Sequence, residues 1–307
     1  MKLPSSEETR RPRSEPGAGV HVLALLSTVL LLASTPGCGP VEEAAVSQEL
    51  GTRSQEITSS NGLAMNGIAM NGIAMNGLAM NGLAMNGLTF NGLSSEAFSN
   101  WFQQDPALAG SVMHYLIGCA VRAGQSRTYT HPQTGAVYTW EGSLGLTPDW
   151  ASGRPATTAE QRVITACLAA HANRFGLHLP ISVLGRGADG AAIPTTRSEL
   201  KTYSVKEACF FGNLFNGEGI FVGLDVESAR GGGTTTRACE KTSSRTECEP
   251  LVLVGRCQRY CTRDGSGPFY ASCSYKGVTY APITTRMRQE DFDLLDNLSG
   301  PGTGTGQ

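Results

Sequence analysis

The segment TTAEQRVITACLAAHANRFG, residues 157–176, contains both ends of a predicted amphipathic helix. Thr157 and Glu160 have the spacing of a capping box, in which each side chain bonds the backbone N–H of the other at the helix start. Gly176 is a typical stop signal, so the helix is predicted to run to about Arg174. Its apolar face, spaced by three and four residues, carries Ile164, Cys167, Leu168, His171 and Phe175.

The chain before this helix predicts a second helix and a hairpin. Asp105 and Pro106 place a capping side chain before a proline, which is favoured at the first helical position. A shorter helix upstream is predicted to be capped by Ser94 or Ser95, and residues 127–140 alternate as a hairpin does. The apolar residues of the second helix are Leu108, Val112, Leu116 and Cys119.

The chain after residue 176 predicts short strands separated by Gly, Ser and Thr. We expect an α+β domain over residues 94–296, with two main helices, a small antiparallel sheet, disulfide cross-links and a loop-rich C-terminal half. Residues 297–307 are rich in Gly and Thr and are predicted to form a disordered tail. The strand-like runs are residues 178–183, 220–226, 251–254 and 278–283.

Residues 61–93 repeat a five-residue unit, as in NGLAMNGIAM. A period of five matches neither a helix nor a strand. The repeat resembles pentapeptide-repeat β-helices, although Leu or Ile stands where that family places a small residue. The segment is either a flexible spacer or a short β-helical stub packed on the domain. By the resemblance, the inward central positions are Met65, Met70, Met75, Met80, Met85 and Phe90.

The N-terminal residues 1–38 have the features of an export signal. A polar segment with basic residues precedes the apolar run 20–33, which is too short to span a bilayer. Cys38 follows small residues, which resembles the lipobox of bacterial lipoproteins, and Gly39 by the same resemblance favours outer-membrane sorting. We expect acylation at Cys38, a polar linker over residues 39–60, and a flexible tether of about 40 Å over residues 39–93.

The 307 residues carry 24 basic and 26 acidic side chains, so the formal net charge is −2. This composition provides no overall basic surface, and nucleic acid is not an expected partner. The expected partners are the membrane, through the N-terminal lipid, and an unknown protein or glycan.

Nine cysteines become eight once Cys38 is assigned to the lipid, and we expect these eight to form disulfides in an oxidising compartment. Eight cysteines allow 105 pairings, so the connectivity is open. Cys119 and Cys167 lie on the apolar faces of the two helices; if they pair, Cys209 must pair within the last five. The full set is Cys119, Cys167, Cys209, Cys239, Cys248, Cys257, Cys261 and Cys273.

Zinc is the alternative use of these cysteines. Cys248, Cys257, Cys261 and Cys273 could supply four thiolates, but their spacing is irregular and no paired CxxC motifs are present. The sequence therefore favours disulfides, and no metal or other cofactor is predicted.

Three side chains are candidates for acid–base catalysis. His171 lies on an apolar helix face, Glu218 is in an Asn-Gly-Glu-Gly turn, and Asp225 belongs to the strand that follows. A hydrolase could use acids and a histidine in this way. A packed core histidine and ordinary turn chemistry explain the same residues equally well.

The Asn-Gly pentads and the stretch ACLAAHANRFG, residues 166–176, are similar to those of uncharacterised cysteine-rich exported bacterial lipoproteins. The resemblance implies a place in the cell envelope and no particular activity. We expect a membrane-anchored lipoprotein, most simply a non-enzymatic binding or surface module. The alternatives are an exported hydrolase and an envelope spacer or assembly protein.

Overall fold

The computed structural model describes residues 58–60, 63–64, 87–173, 179–225, 237, 240–241, 246–247, 251–265 and 267–298. All of them belong to one compact unit, Arg53–Gln307. Cys38, the signal segment, most of the repeat and residues 299–307 lie outside the described residues.

The described residues contain eight helices, of which four are longer than two turns, so the prediction of two main helices was incomplete. The C-terminal helix was not predicted from the sequence. The helices are α1 Phe90–Leu93, α2 Glu96–Gln104, α3 Pro106–Ala120, α4 Pro148–Ala151, α5 Thr158–Ala170, α6 Arg197–Thr202, α7 Cys257–Tyr260 and α8 Gln289–Leu298.

The predicted helix starts are confirmed by their caps. The Thr157 backbone N–H donates to Glu160 at 3.0 Å, and the Glu160 backbone N–H donates to the Thr157 hydroxyl at 3.2 Å. Asp105 accepts from the Leu108 backbone N–H at 3.0 Å. The C-terminus of α5 was predicted wrongly, because the helix ends at Ala170 and His171 is its C-cap.

Fifteen strands are described, and most of them lie in the C-terminal half. They are β1 Thr58–Ser60, β2 Leu63–Ala64, β3 Ser126–Thr130, β4 Val137–Glu141, β5 Ala172–Asn173, β6 Pro180–Gly185, β7 Val205–Asn213, β8 Gly219–Leu224, β9 Glu240–Lys241, β10 Thr246–Glu247, β11 Leu251–Arg256, β12 Cys261–Arg263, β13 Tyr270–Tyr275, β14 Val278–Tyr280 and β15 Ile283–Met287.

The main sheet has six strands in the order β1-β6-β15-β7-β8-β11. Its neighbouring strands are antiparallel except β8 and β11, which are parallel. The sheet is therefore larger than predicted, and it is mixed. Local sequence patterns do not reveal this pairing, because β8 and β11 are joined by a long crossover and β1 lies more than a hundred residues before β6.

Two segments assigned to the linker and the repeat belong to the folded unit. Thr58–Ser60 forms the edge strand β1 on β6, with Ser59 opposite Ile181. Leu63–Ala64 pairs in parallel with Ala172–Asn173, which explains why the chain is extended directly after α5. Residues 58–60 and 63–64 are therefore not part of a flexible tether, although the sequence predicted one over residues 39–93.

The central strands of the main sheet are buried on both faces, which explains the nearly continuous burial of β7. On one face, Phe210 and Val222 join the core formed with α3 and α5. On the other face, Cys209, Phe211 and Phe221 pack against Tyr270 and other residues of the three-stranded sheet β12-β13-β14. The unit thus has three layers: helices, the main sheet and a small sheet.

Six of the eight predicted disulfide cysteines form three bonds. Cys119–Cys167 joins α3 to α5, Cys209–Cys257 joins β7 to α7, and Cys261–Cys273 joins β12 to β13. Cys239 and Cys248 lie outside the described residues. The disulfide-stabilised α+β class is confirmed.

Candidate functional site

The three predicted catalytic side chains do not meet in one site. Glu218 precedes β8 and Asp225 follows it, so a six-residue strand of about 20 Å separates them. Arg162, which pairs with Glu218, lies in the second turn of α5, and His171 is the C-cap of this helix, about 13 Å further along the axis. A hydrolase built from these three residues has no common pocket.

His171 is a packed, neutral side chain. Its Nδ1 donates to the Cys167 carbonyl oxygen at 2.8 Å, and the ring lies 5.2 Å from the ring of Tyr115. Burial lowers the pKa of His171 from 6.5 to about 4; the Cys167 hydrogen bond opposes this shift, and the charges of Arg237 and His114 add to it. The imidazole therefore stays uncharged at neutral pH and supports the end of α5.

Glu218 is held in an ion pair. Arg162 lies 3.3 Å from its carboxylate, and the Asn216 side chain donates to it at 2.6 Å. Burial raises the pKa of Glu218, but hydrogen bonds from Asn216, Tyr280 and Arg162 outweigh burial and hold this pKa below its ordinary value. The carboxylate is thus ionised and is poorly suited to act as a general acid.

Asp225 belongs to a buried polar network. It accepts hydrogen bonds from the Tyr270 hydroxyl at 3.1 Å and from Arg263 at 3.4 Å. Its backbone N–H donates to the Glu207 carbonyl oxygen at 2.9 Å. These contacts connect β8 with the small sheet, which is a structural role.

Glu207 and Arg237 form a fully buried ion pair that the sequence did not predict. The Arg237 guanidinium donates to the Glu207 carboxylate at 2.7 Å and to the Ala170 carbonyl oxygen, at the end of α5, at 3.0 Å. The Thr285 hydroxyl also donates to Glu207 at 2.8 Å. Nothing in the local sequence marks this pair, because its members are thirty residues apart. It joins α5 to the centre of the main sheet.

A cleft of about 470 Å³ lies between the end of α3, the start of β3 and α4. This volume is within the range of small-molecule sites. None of the residues that line the cleft is acidic. They are Ala120, Arg122, Gln125, Arg127, Gly145, Pro148, Ala151 and Ser152.

Arg127 is the fixed cation of this cleft. Its guanidinium donates to the backbone carbonyl oxygens of Leu88, Ala151 and Ser126. Burial lowers the pKa of Arg127, but a guanidinium remains charged at neutral pH. Carbonyl oxygens orient this charge and do not neutralise it.

Arg122 is the exposed cation of the cleft. Its side chain crosses Gly145, where an added Cβ would lie 2.3 Å from the Arg122 Cγ atom. Gly145 has φ +65°, so a larger residue is disfavoured there for a second reason. Within the described part of the chain, neither Arg122 nor Arg127 has a carboxylate ion-pair partner.

The alternation of inward and outward side chains along β3 could have identified Arg127 from the sequence. Arg127 lies two residues before Tyr129, and both face inward from the hairpin, opposite Trp140 and Tyr138. A charged residue on the inward face of a strand indicates a specific polar role. Arg122 lies in a loop, and the sequence offered no comparable signal for it.

The described cysteines also bear on the zinc alternative. Cys257, Cys261 and Cys273 are all disulfide-bonded, so in this state they offer no thiolates. The proposed fourth ligand, Cys248, lies outside the described residues.

No protein-family model, no curated protein and no solved structure matches this chain. Across the described ranges, no helix combines the length and apolar character needed to cross a bilayer.

Proposed function

We propose that this protein is an exported lipoprotein of the cell envelope that binds an anionic ligand in the cleft between Arg122 and Arg127. The cell-envelope assignment rests on the export signal and on Cys38, the predicted site of acylation and membrane attachment. The binding role rests on one observation: two arginines line the same cleft, and none of its lining residues is acidic.

The chemistry of the cleft favours a ligand with a carboxylate or a phosphate, such as the acidic unit of a glycan. A guanidinium presents N–H donors in a planar fork that matches both anions. The Arg127 guanidinium is held in place before a ligand arrives, which reduces the ordering that binding requires. Gln125 and Ser152 add neutral polar groups that suit sugar hydroxyls.

Calorimetric titration with glucuronate, glucose and inorganic phosphate tests this proposal. We expect glucuronate to bind and glucose not to bind, because the two sugars differ in the carboxylate. Phosphate binding without glucuronate binding would assign the site to phosphorylated ligands. Arg122→Ala should weaken the binding by about tenfold or more, since a charge-assisted hydrogen bond contributes about 1.5–3 kcal/mol.

Arg197→Ala is the matched control. Arg197 is exposed at the start of α6 and is not among the lining residues of the cleft, and its loss changes the net charge by the same amount. Equal weakening by both substitutions would show a general charge effect and contradict the proposed site. Arg127 is not a suitable test residue, because its hydrogen bonds also hold Leu88 and Ala151.

A further inference from the structure

Four cysteines from distant parts of the chain form one sulfur cluster. Cys209 and Cys257 form one disulfide, and Cys261 and Cys273 form another. The Sγ atoms of Cys209 and Cys261, which belong to different disulfides, are 3.6 Å apart. The sulfurs of Cys209, Cys261 and Cys273 all lie within 4.8 Å of one another.

The four cysteines of this cluster differ in solvent exposure. Cys209, Cys257 and Cys273 have an exposed fraction of 0%, whereas Cys261 is partly exposed. Apolar side chains, including Phe221, surround the buried members. Among the described cysteines of the cluster, Cys261 is therefore the one that an external thiol would meet first.

Local structure holds the two disulfides against each other. Cys257 is the first residue of α7, and Cys261, four residues later, is the C-cap of that helix and the first residue of β12. Gly223 leaves room for the sulfurs, because an added Cβ would lie 2.7 Å from the Cys209 Sγ atom and 3.1 Å from the Cys257 Sγ atom. The close approach of the disulfides is thus part of the packing of β7, β8 and α7.

We propose that this cluster is a thiol–disulfide exchange site, in which an external dithiol reduces Cys261–Cys273 and Cys261 then transfers the reduction to Cys209–Cys257. The substrate class is a dithiol, either a small molecule or a protein. This activity is separate from ligand binding in the arginine cleft.

The exchange is balanced at each step. A thiolate of the dithiol bonds to the Cys261 sulfur, and Cys273 leaves as a thiolate that takes up a proton. The second thiol of the reductant closes a cyclic disulfide and releases the Cys261 thiolate, so the reductant loses two electrons and the protein gains them. Cys261 then bonds to Cys209 and displaces Cys257, which takes up a proton; this last step is redox-neutral.

Limited reduction of the native full-length chain tests the proposal. The protein is treated with limiting dithiothreitol, quenched with acid, alkylated and mapped by mass spectrometry. We expect loss of the Cys209–Cys257 link and a new Cys209–Cys261 link, with alkyl groups on Cys257 and Cys273. A product that is alkylated on Cys261 and Cys273 and retains the Cys209–Cys257 link would overturn the proposal.

A variant gives an independent measurement without a reductant. Cys273→Ser leaves Cys261 as a thiol beside Cys209, so alkylation should divide between Cys261 and Cys257. Cys167→Ser is the matched control, because it frees Cys119, which has no second described disulfide beside it. Label on Cys261 alone would overturn the proposal, as would an equal spread of label over several cysteines in the control.

Discussion

At the scale of single residues, His171 connects protonation to stability. The pKa of His171 falls from 6.5 to about 4 on folding, chiefly because the side chain is buried. Between these two pH values the unfolded chain binds a proton at His171 and the folded chain does not. The stabilising contribution is therefore complete above the higher pKa and is lost as the pH falls towards the lower one.

We expect His171→Asn to reduce the pH dependence of the unfolding free energy. Asparagine keeps a donor for the Cys167 carbonyl oxygen but does not titrate. Between about pH 7.5 and about pH 4.5, the wild-type protein should lose about 2–3 kcal/mol more than the variant. Urea unfolding at the two pH values measures this difference, and equal losses in both proteins would contradict the assignment.

Residue-level inference from the sequence succeeded where the interaction is local. The capping box of Thr157 and Glu160 follows from a spacing of three residues, and the structure contains it. The ion pair of Glu207 and Arg237 depends on the packing of distant segments, so no local pattern predicts it. The same holds for the cleft, whose two arginines come from different elements.

At the scale of elements, the helix starts and the β3–β4 hairpin were predictable, whereas the sheet order was not. A hairpin pairs neighbouring residues, and a capping side chain lies beside the turn it stabilises. The pairing of β1 with β6, or of β8 with β11, is fixed only when α3 and α5 cover one face of the sheet and β12-β13-β14 cover the other. The number of strands and the mixed character of the sheet therefore required the structure.

The strands β9 and β10 lead to a prediction about the remaining disulfide. They pair antiparallel, with Glu240 opposite Glu247, and Cys239 and Cys248 directly flank these two residues. Six of the eight cysteines already pair among themselves, so parity predicts a Cys239–Cys248 bond. Mass spectrometry of an unreduced digest should find this linked peptide.

A thiol-reactive label on denatured, unreduced protein is the second measurement of that disulfide. The mature chain should incorporate no label, because acylation would block Cys38 and the other eight cysteines would be paired. Two labelled thiols, at Cys239 and Cys248, would contradict the prediction.

At the scale of the whole molecule, the pentad repeat is attached to the folded unit on both sides. Before its central part, Thr58–Ser60 and Leu63–Ala64 pair with β6 and β5. After it, Leu88 is buried and its backbone N–H donates to the Trp150 carbonyl oxygen at 2.9 Å. If the repeat were a simple spacer between the lipid and the domain, it would contact the domain at its C-terminal end alone. The segment left to act as a tether is residues 39–57, which as a flexible coil would span about 24 Å.

Gly87, in the last full pentad, shows how closely the repeat approaches the domain. It has φ +77°, and an added Cβ would lie 2.4 Å from the backbone of Gly153. The glycine of the Asn-Gly pair therefore permits a backbone contact that another residue would prevent. At this position the repeat sequence serves tertiary packing.

Two truncated chains distinguish an attached repeat from a simple tether. A chain that begins at Arg53 keeps β1 and β2, whereas a chain that begins at Gly87 loses both and leaves the edges of β6 and β5 unpaired. We expect the first to be as stable as the mature protein and the second to be less stable by about 2–4 kcal/mol, since each lost hydrogen bond contributes about 0.5–1.5 kcal/mol. Urea unfolding measures both differences.

Replacing residues 65–86 with a short Gly/Ser linker in the longer chain is the control, and it should preserve stability because both attachments remain. If the chain beginning at Gly87 were as stable as the one beginning at Arg53, the paired segments would contribute nothing to the fold, and a flexible tether could extend over residues 39–86.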